Sequence, residues 1–75
     1  MQFDRELDVK GLNCPLPILR TKKTLFEMSS GQILRVLATD PNAAKDFHAF
    51  AQQTGNQLLS AEEDGALFEF YFQRK

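Results

Sequence analysis

Cys14 is the only cysteine and His48 the only histidine in this chain of 75 residues. A thiol acts as a nucleophile through its thiolate form, and an ordinary cysteine has a pKa of about 8.5. Cys14 sits in the run Gly11-Leu12-Asn13-Cys14-Pro15-Leu16-Pro17. Pro15 suits the first position of a helix, where its missing N–H is not needed, and Pro17 is tolerated within the first turn. Cys14 is therefore expected at a helix N-terminus. Unpaired N–H groups and roughly half a positive charge at that end favour a thiolate. Lys10, Arg20, Lys22 and Lys23 crowd the same part of the chain. At roughly 4 Å each cation would add on the order of a kcal/mol of support, less in salt. The two prolines stiffen the backbone and so fix the direction of the sulfur.

Persulfide chemistry suits such a thiol. A thiolate that attacks the outer sulfur of a donor persulfide takes that sulfur, in a step parallel to thiol–disulfide exchange. With no second cysteine to resolve it, the new persulfide lasts until an acceptor arrives. A dithiol reductase is excluded for the same reason, since it needs a Cys-x-x-Cys pair. One Cys and one His cannot fill a four-ligand zinc site from one chain, so no metal is expected. The residues alone leave a second reading open, because a lone cysteine is often an inert, buried small hydrophobe.

Other residues have bland and functional readings side by side. Asp8 either orients the loop near Cys14 or is the outward residue of a strand. Gly11 serves backbone geometry. Asp40, before Pro41, reads as a helix N-cap. His48 falls on the solvent side of its helix, and nothing places it near Cys14. Leu16, Leu19 and Phe26 lie off the buried stripe of the first helix, and an apolar patch beside Cys14 would suit docking of a partner protein. Glu62-Glu63-Asp64 reads as a solvated turn.

The elements that must hold these residues follow from hydrophobic period. Phe3 to Val9 alternates, with Phe3, Leu7 and Val9 on one face and Asp4, Glu6 and Asp8 on the other, which predicts a half-buried strand. Pro15 to Met28 predicts a helix with Ile18, Thr21, Leu25 and Met28 inward, Lys22 at the margin, and Gly31 as its terminator. Gln32 to Thr39 predicts a strand. Asp40-Pro41 opens a second helix that buries Ala43, Ala44, Phe47, Phe50, Ala51 and Thr54 and closes at Gly55. Gln57 to Ala61 and Leu67 to Gln73 predict two more strands about an Asp64-Gly65 turn, the last with Phe68, Phe70 and Phe72 on one face.

The expected fold class is α+β: a two-layer α/β sandwich in the order β-α-β-α-β-β, with two helices on one face of a four-stranded mixed sheet. At this length one domain spanning 1–75 is expected. Composition is ordinary for a globular chain, at 43% hydrophobic and 25% charged, with seven Phe and no Trp. Aromatic burial should dominate the core. The net charge of −1 gives no global field for nucleic acid. No apolar run approaches the roughly 20 residues of a membrane span. The charged N-terminus lacks a signal-peptide pattern, and a free thiol suits a reducing compartment. A cytoplasmic monomer is expected.

The run Leu7-Asp8-Val9-Lys10-Gly11-Leu12-Asn13-Cys14-Pro15-Leu16-Pro17 resembles the signature of the TusA-like (SirA-like) sulfur-carrier family. The family pattern of aspartate, glycine and Cys-Pro-x-Pro falls on Asp8, Gly11, Cys14, Pro15 and Pro17. Lys22-Lys23-Thr24-Leu25, Gly31, Asp40-Pro41 and Asp64-Gly65 extend the likeness along the chain. The resemblance implies a sandwich similar to the C-terminal domain of translation initiation factor three. It implies a covalent persulfide on Cys14 and no other cofactor. The partners it implies are a cysteine desulfurase or rhodanese-type donor and a sulfur-accepting protein, serving tRNA thiolation, cofactor maturation or sulfur oxidation. Whether such relay counts as catalysis is partly convention. Leu16, between the prolines, stands where some members carry a charge. Two other classes stay in view: an RNA-binding module, for which fold alone is a poor warrant, and a regulatory protein-interaction module.

Overall fold

The computed structural model describes residues 2–75. Its elements are β1 (Arg5–Val9), α1 (Leu16–Glu27), β2 (Ile33–Ala38), α2 (Ala43–Thr54), β3 (Gln57–Asp64) and β4 (Leu67–Gln73). The strands form one sheet in the order β1-β2-β4-β3. β1 and β2 are parallel, while β4 is antiparallel to both β2 and β3. The expected order and the mixed sheet are both present.

Alternation along the strands explains the two layers. Leu34, Val36 and Ala38 of β2 face the helices and are buried. They lie in register with Arg5, Leu7 and Val9 of β1 and with Phe72, Phe70 and Phe68 of β4. Helix α1 buries Pro17, Thr21, Thr24 and Leu25 against this face, and α2 buries Ala43, Phe47 and Phe50. Phe47 meets Phe70 and Phe72 edge to face, with ring centroids 4.6 and 5.4 Å apart, and Phe50 meets Phe72 at 5.7 Å. Such aromatic pairs add about 0.5–1.5 kcal/mol each beyond the area they bury.

The opposite face of the sheet is open. At its centre the Arg35 guanidinium bonds Glu6 of β1 at 2.9 Å and Glu69 of β4 through Nε at 2.8 Å. The Phe3 ring packs over Arg35 and near Tyr71.

Several local expectations shift. Phe3 is not an inward residue of β1; it precedes the strand and lies partly exposed beside Tyr71 and Arg35. Asp4 instead ties the strand start by accepting the Ile33 N–H. Helix α1 begins at Leu16, one residue later than expected, because Pro15 occupies the cap position. Gly31 does not terminate α1, which ends at Glu27; it sits in the following turn, where Gln32 N–H donates to the Ser29 carbonyl. Strand β3 runs on to Asp64, so Glu62 and Glu63 pair with β4 and do not form a turn. The reversal is Gly65-Ala66, with Gly65 at φ +62° and no positive φ at Ala66. That is the pattern of a turn with glycine in its first central position, not an Asp-Gly turn.

Candidate functional site

The sheet topology brings two loops together. α1 follows β1 and α2 follows β2, and these strands are parallel neighbours. The Lys10–Pro15 loop and the Thr39–Asn42 loop therefore leave the same end of the sheet side by side. Cys14 lies in the first of them, exposed and not in a disulfide.

Two adjacent residues of the second loop hold the first in place. Thr39 Oγ1 accepts the Gly11 N–H at 2.8 Å, and Asp40 Oδ2 accepts the Cys14 N–H at 2.9 Å. Gly11 takes φ +81°, a conformation L side chains rarely adopt, so glycine is needed there for its backbone. Within the loop, Leu12 N–H donates to the Val9 carbonyl and Leu16 N–H to the Asn13 carbonyl. The Cys14–Pro15 peptide bond is cis.

Asp40 was expected as the N-cap of α2. The structure places Asn42 at the cap, with no side-chain cap bond. Asp40 is only 5% exposed, and its carboxylate divides between the two loops. Oδ1 accepts the Asn42 N–H at 3.0 Å while Oδ2 holds Cys14, and its main-chain carbonyl accepts the Ala43 N–H.

The electrostatics of the thiol differ from the expectation. The Cys14 thiol is pushed above its ordinary value, first by the desolvation its protein surroundings impose, then by the Asp46 charge, a side-chain hydrogen bond with Asp46, and the Asp40 charge. No cation takes part. Lys10, expected as support, pairs with Asp8 at 3.8 Å. Lys22 lines a groove with Leu25, Phe26 and Phe50, and Lys23 lies with Leu16, Leu19 and Arg20 on the outer side of α1. The helix start also offers few donors: Pro15 and Pro17 have no N–H, and that of Leu16 is used by Asn13.

Asp8 shapes its own turn. Its Oδ1 accepts the Lys10 N–H at 2.9 Å, and no bond joins it to Cys14. His48 is exposed on α2. Pro17 is buried and anchors the first turn of α1. Leu16, Leu19 and Phe26 are 43%, 54% and 82% exposed. Their spacing of three and seven residues puts them on one stripe of the helix. Among the described residues, no group of three or more His, Cys, Asp or Glu is arranged to hold a metal ion.

Sequence reasoning missed Asp46. The signal was indirect: it falls in the first turn of the helix that follows Asp40-Pro41. Only the parallel pairing of β1 and β2 turns that position into a neighbour of Cys14.

Comparisons with known proteins agree with this architecture. The chain is 62% identical over 72 residues to the sulfur carrier protein TusA of Allochromatium vinosum, covering 96% of this chain and 95% of that one. It is 46% identical over 74 residues to the putative sulfur carrier protein YrkI of Bacillus subtilis, covering 99% of each. The crystal structure of a SirA-like protein from Desulfitobacterium hafniense superposes with a TM-score of 0.81 at 27% identity, covering 93% of this chain and 96% of that chain. The family model described as Sulfurtransferase TusA matches residues 5–74. With its Cys14-Pro15-Leu16-Pro17 loop set at the paired ends of β1 and β2, this chain belongs to the TusA family.

Proposed function

We propose that this protein is a single sulfur-carrier domain that takes sulfur as a persulfide on Cys14 and passes it to another protein. The observation that carries the reading is the placement of the chain's one thiol, exposed on a loop that Thr39 and Asp40 fix to the neighbouring strand end. In uptake, the Cys14 sulfur attacks the outer sulfur of a donor persulfide. A sulfur–sulfur bond forms on Cys14, the donor's sulfur–sulfur bond breaks, and its electron pair leaves on the donor thiolate. The thiol proton goes to a base or to water. Delivery reverses the roles, and no net oxidation occurs.

The raised thiol pKa has two consequences. Less thiolate is present at neutral pH, but a thiol of higher pKa is a poorer leaving group. The poorer leaving group slows loss to stray nucleophiles and delivery alike, so preference for the acceptor has to come from docking around Cys14.

Donor and acceptor must reach an exposed thiol by docking around it. The stripe of Leu16, Leu19 and Phe26, flanked by Arg20 and Lys23, supplies apolar area with positive charge at its edge. A cysteine desulfurase or rhodanese-type donor and a sulfur-accepting protein are the partners of this reading. It places the domain in the cytoplasm, as a monomer with transient complexes. No helix of the described residues is long and apolar enough to cross a membrane. RNA binding has no observation in its favour, since the centre of the open sheet face carries Glu6 and Glu69 about one arginine.

Mass spectrometry tests the reading. Incubation with a cysteine desulfurase and cysteine should add the mass of one sulfur to the wild type and none to Cys14→Ser. An unchanged wild type across several competent donors would reject it.

A further inference from the structure

We propose that Asp40 is a positioning residue for sulfur transfer: its carboxylate ties the main chain of Cys14 to the start of α2 and thereby fixes where the sulfur is presented. The proposal rests on the persulfide reading of Cys14 and adds a residue whose side chain does not reach the reacting atoms through any bond of its own.

The geometry is specific. A carboxylate that is 5% exposed spends one oxygen on the Cys14 N–H at 2.9 Å and the other on the Asn42 N–H at 3.0 Å. The turn that leads into α2 needs only the second bond. The first crosses 26 residues of sequence to the nucleophile itself. The Cys14 N–H has no strand or helix partner for this bond to replace, because Cys14 lies before α1 and outside the strands. Thr39, next in the chain, holds Gly11 in the same way. Two consecutive side chains at the end of β2 thus fasten both ends of the Gly11–Cys14 segment. Charge bonds of this kind are about twice as strong as neutral ones. The same carboxylate lies close enough to act on the thiol by charge, along with Asp46 of α2; Lys10, the nearest lysine in sequence, is engaged by Asp8.

Asp40→Asn separates the positioning of Cys14 from the turn before α2. Asparagine keeps the shape of the side chain, but it replaces one carboxylate oxygen by an NH₂ donor that cannot accept the second N–H. If Asp40 positions Cys14, the variant shows two opposite changes. Alkylation of Cys14 by iodoacetamide becomes several-fold faster at neutral pH, with its pH profile moved down, because a negative charge beside the thiol is gone. Sulfur transfer from a protein donor falls by about tenfold or more, since small displacements of a reacting group carry penalties of that size. Both readouts unchanged in a folded variant would reduce Asp40 to a residue of the turn before α2 and overturn the proposal. So would a loss of transfer with an unshifted alkylation profile.

A measurement on the wild type stands apart from folding of the variant. Amide hydrogen exchange should find the Cys14 N–H protected well beyond that of an exposed loop. Rapid exchange at Cys14 would overturn the proposal by itself. Alkylation and exchange do not depend on sulfur being carried. A wild type that takes up no sulfur, yet shows the protected amide and the shifted profile, would therefore reject the carrier reading and leave Asp40 as the anchor of the thiol.

Discussion

At the scale of single residues, the surroundings of Cys14 decide how the thiol behaves, by desolvation first and by the Asp46 and Asp40 charges second. The sequence places lysines nearby in the chain, whereas the fold places Asp46 and Asp40 nearby in space. The folded chain therefore holds the thiol proton more tightly than an unfolded one. Folding disfavours the thiolate, so stability falls as pH rises from the ordinary thiol range through the raised value. Asp46→Asn should lower the thiol pKa and make iodoacetamide alkylation several-fold faster at neutral pH, as read from the pH profile of the rate; a profile that coincides with wild type would refute this. Thr21 offers a second test, on stability. It is fully buried in α1, and its hydroxyl has no hydrogen-bond partner. A buried polar group without a partner costs about 1–3 kcal/mol, and valine has nearly the same shape and helix propensity. Thr21→Val should stabilise the protein by about 1 kcal/mol in urea titration.

At the scale of elements, α1 has two faces with different duties. Pro17, Thr21, Thr24 and Leu25 seat it on the sheet, and Leu16, Leu19 and Phe26 look outward. Leu19→Asp should change stability by no more than about 0.5 kcal/mol, as expected for an exposed position. It should slow sulfur uptake from a protein donor and leave uptake from a small-molecule persulfide unchanged. Equal slowing with both donors would locate the fault at Cys14 and not in docking. Periodicity made most of this architecture legible. The apolar face of α2 and the alternating Phe68, Phe70 and Phe72 depend on local spacing and are where spacing predicts; in α1, Thr21 and Leu25 are buried as predicted, Ile18 is half-buried, and Pro17 and Thr24 are buried besides. What spacing cannot supply is sheet order. The roles of Asp40 and Asp46 depend on β1 and β2 lying side by side and parallel, which no local pattern states. The extra length of β3 was hidden for a related reason: Glu62 and Glu63 look like turn residues until pairing with β4 draws them into the sheet.

At the scale of the whole molecule, a chain of 75 residues has about 4–11 kcal/mol of stability to work with, taking about 0.05–0.15 kcal/mol per residue. Much of it passes through Phe47, which is fully buried and packs on both Phe70 and Phe72. Truncating such a side chain costs about 3–5 kcal/mol. Phe47→Ala should therefore lose a large share of the stability in urea titration. The position next to Asp46 makes a second effect follow. Phe47 seats the first turns of α2 on the sheet; those turns carry Asp46, and the Asn42 and Ala43 N–H groups at their start donate to Asp40. A loosened α2 withdraws the negative charge that restrains Cys14. Alkylation of Cys14 in Phe47→Ala should then rise at neutral pH, under conditions where circular dichroism still reports a folded majority. If the alkylation rate stayed at the wild-type value until the dichroism signal collapsed, the thiol's environment would be independent of how α2 is seated. The core and the sulfur site would then be separate structures sharing one chain, instead of one arrangement in which packing sets the reactivity of a surface cysteine.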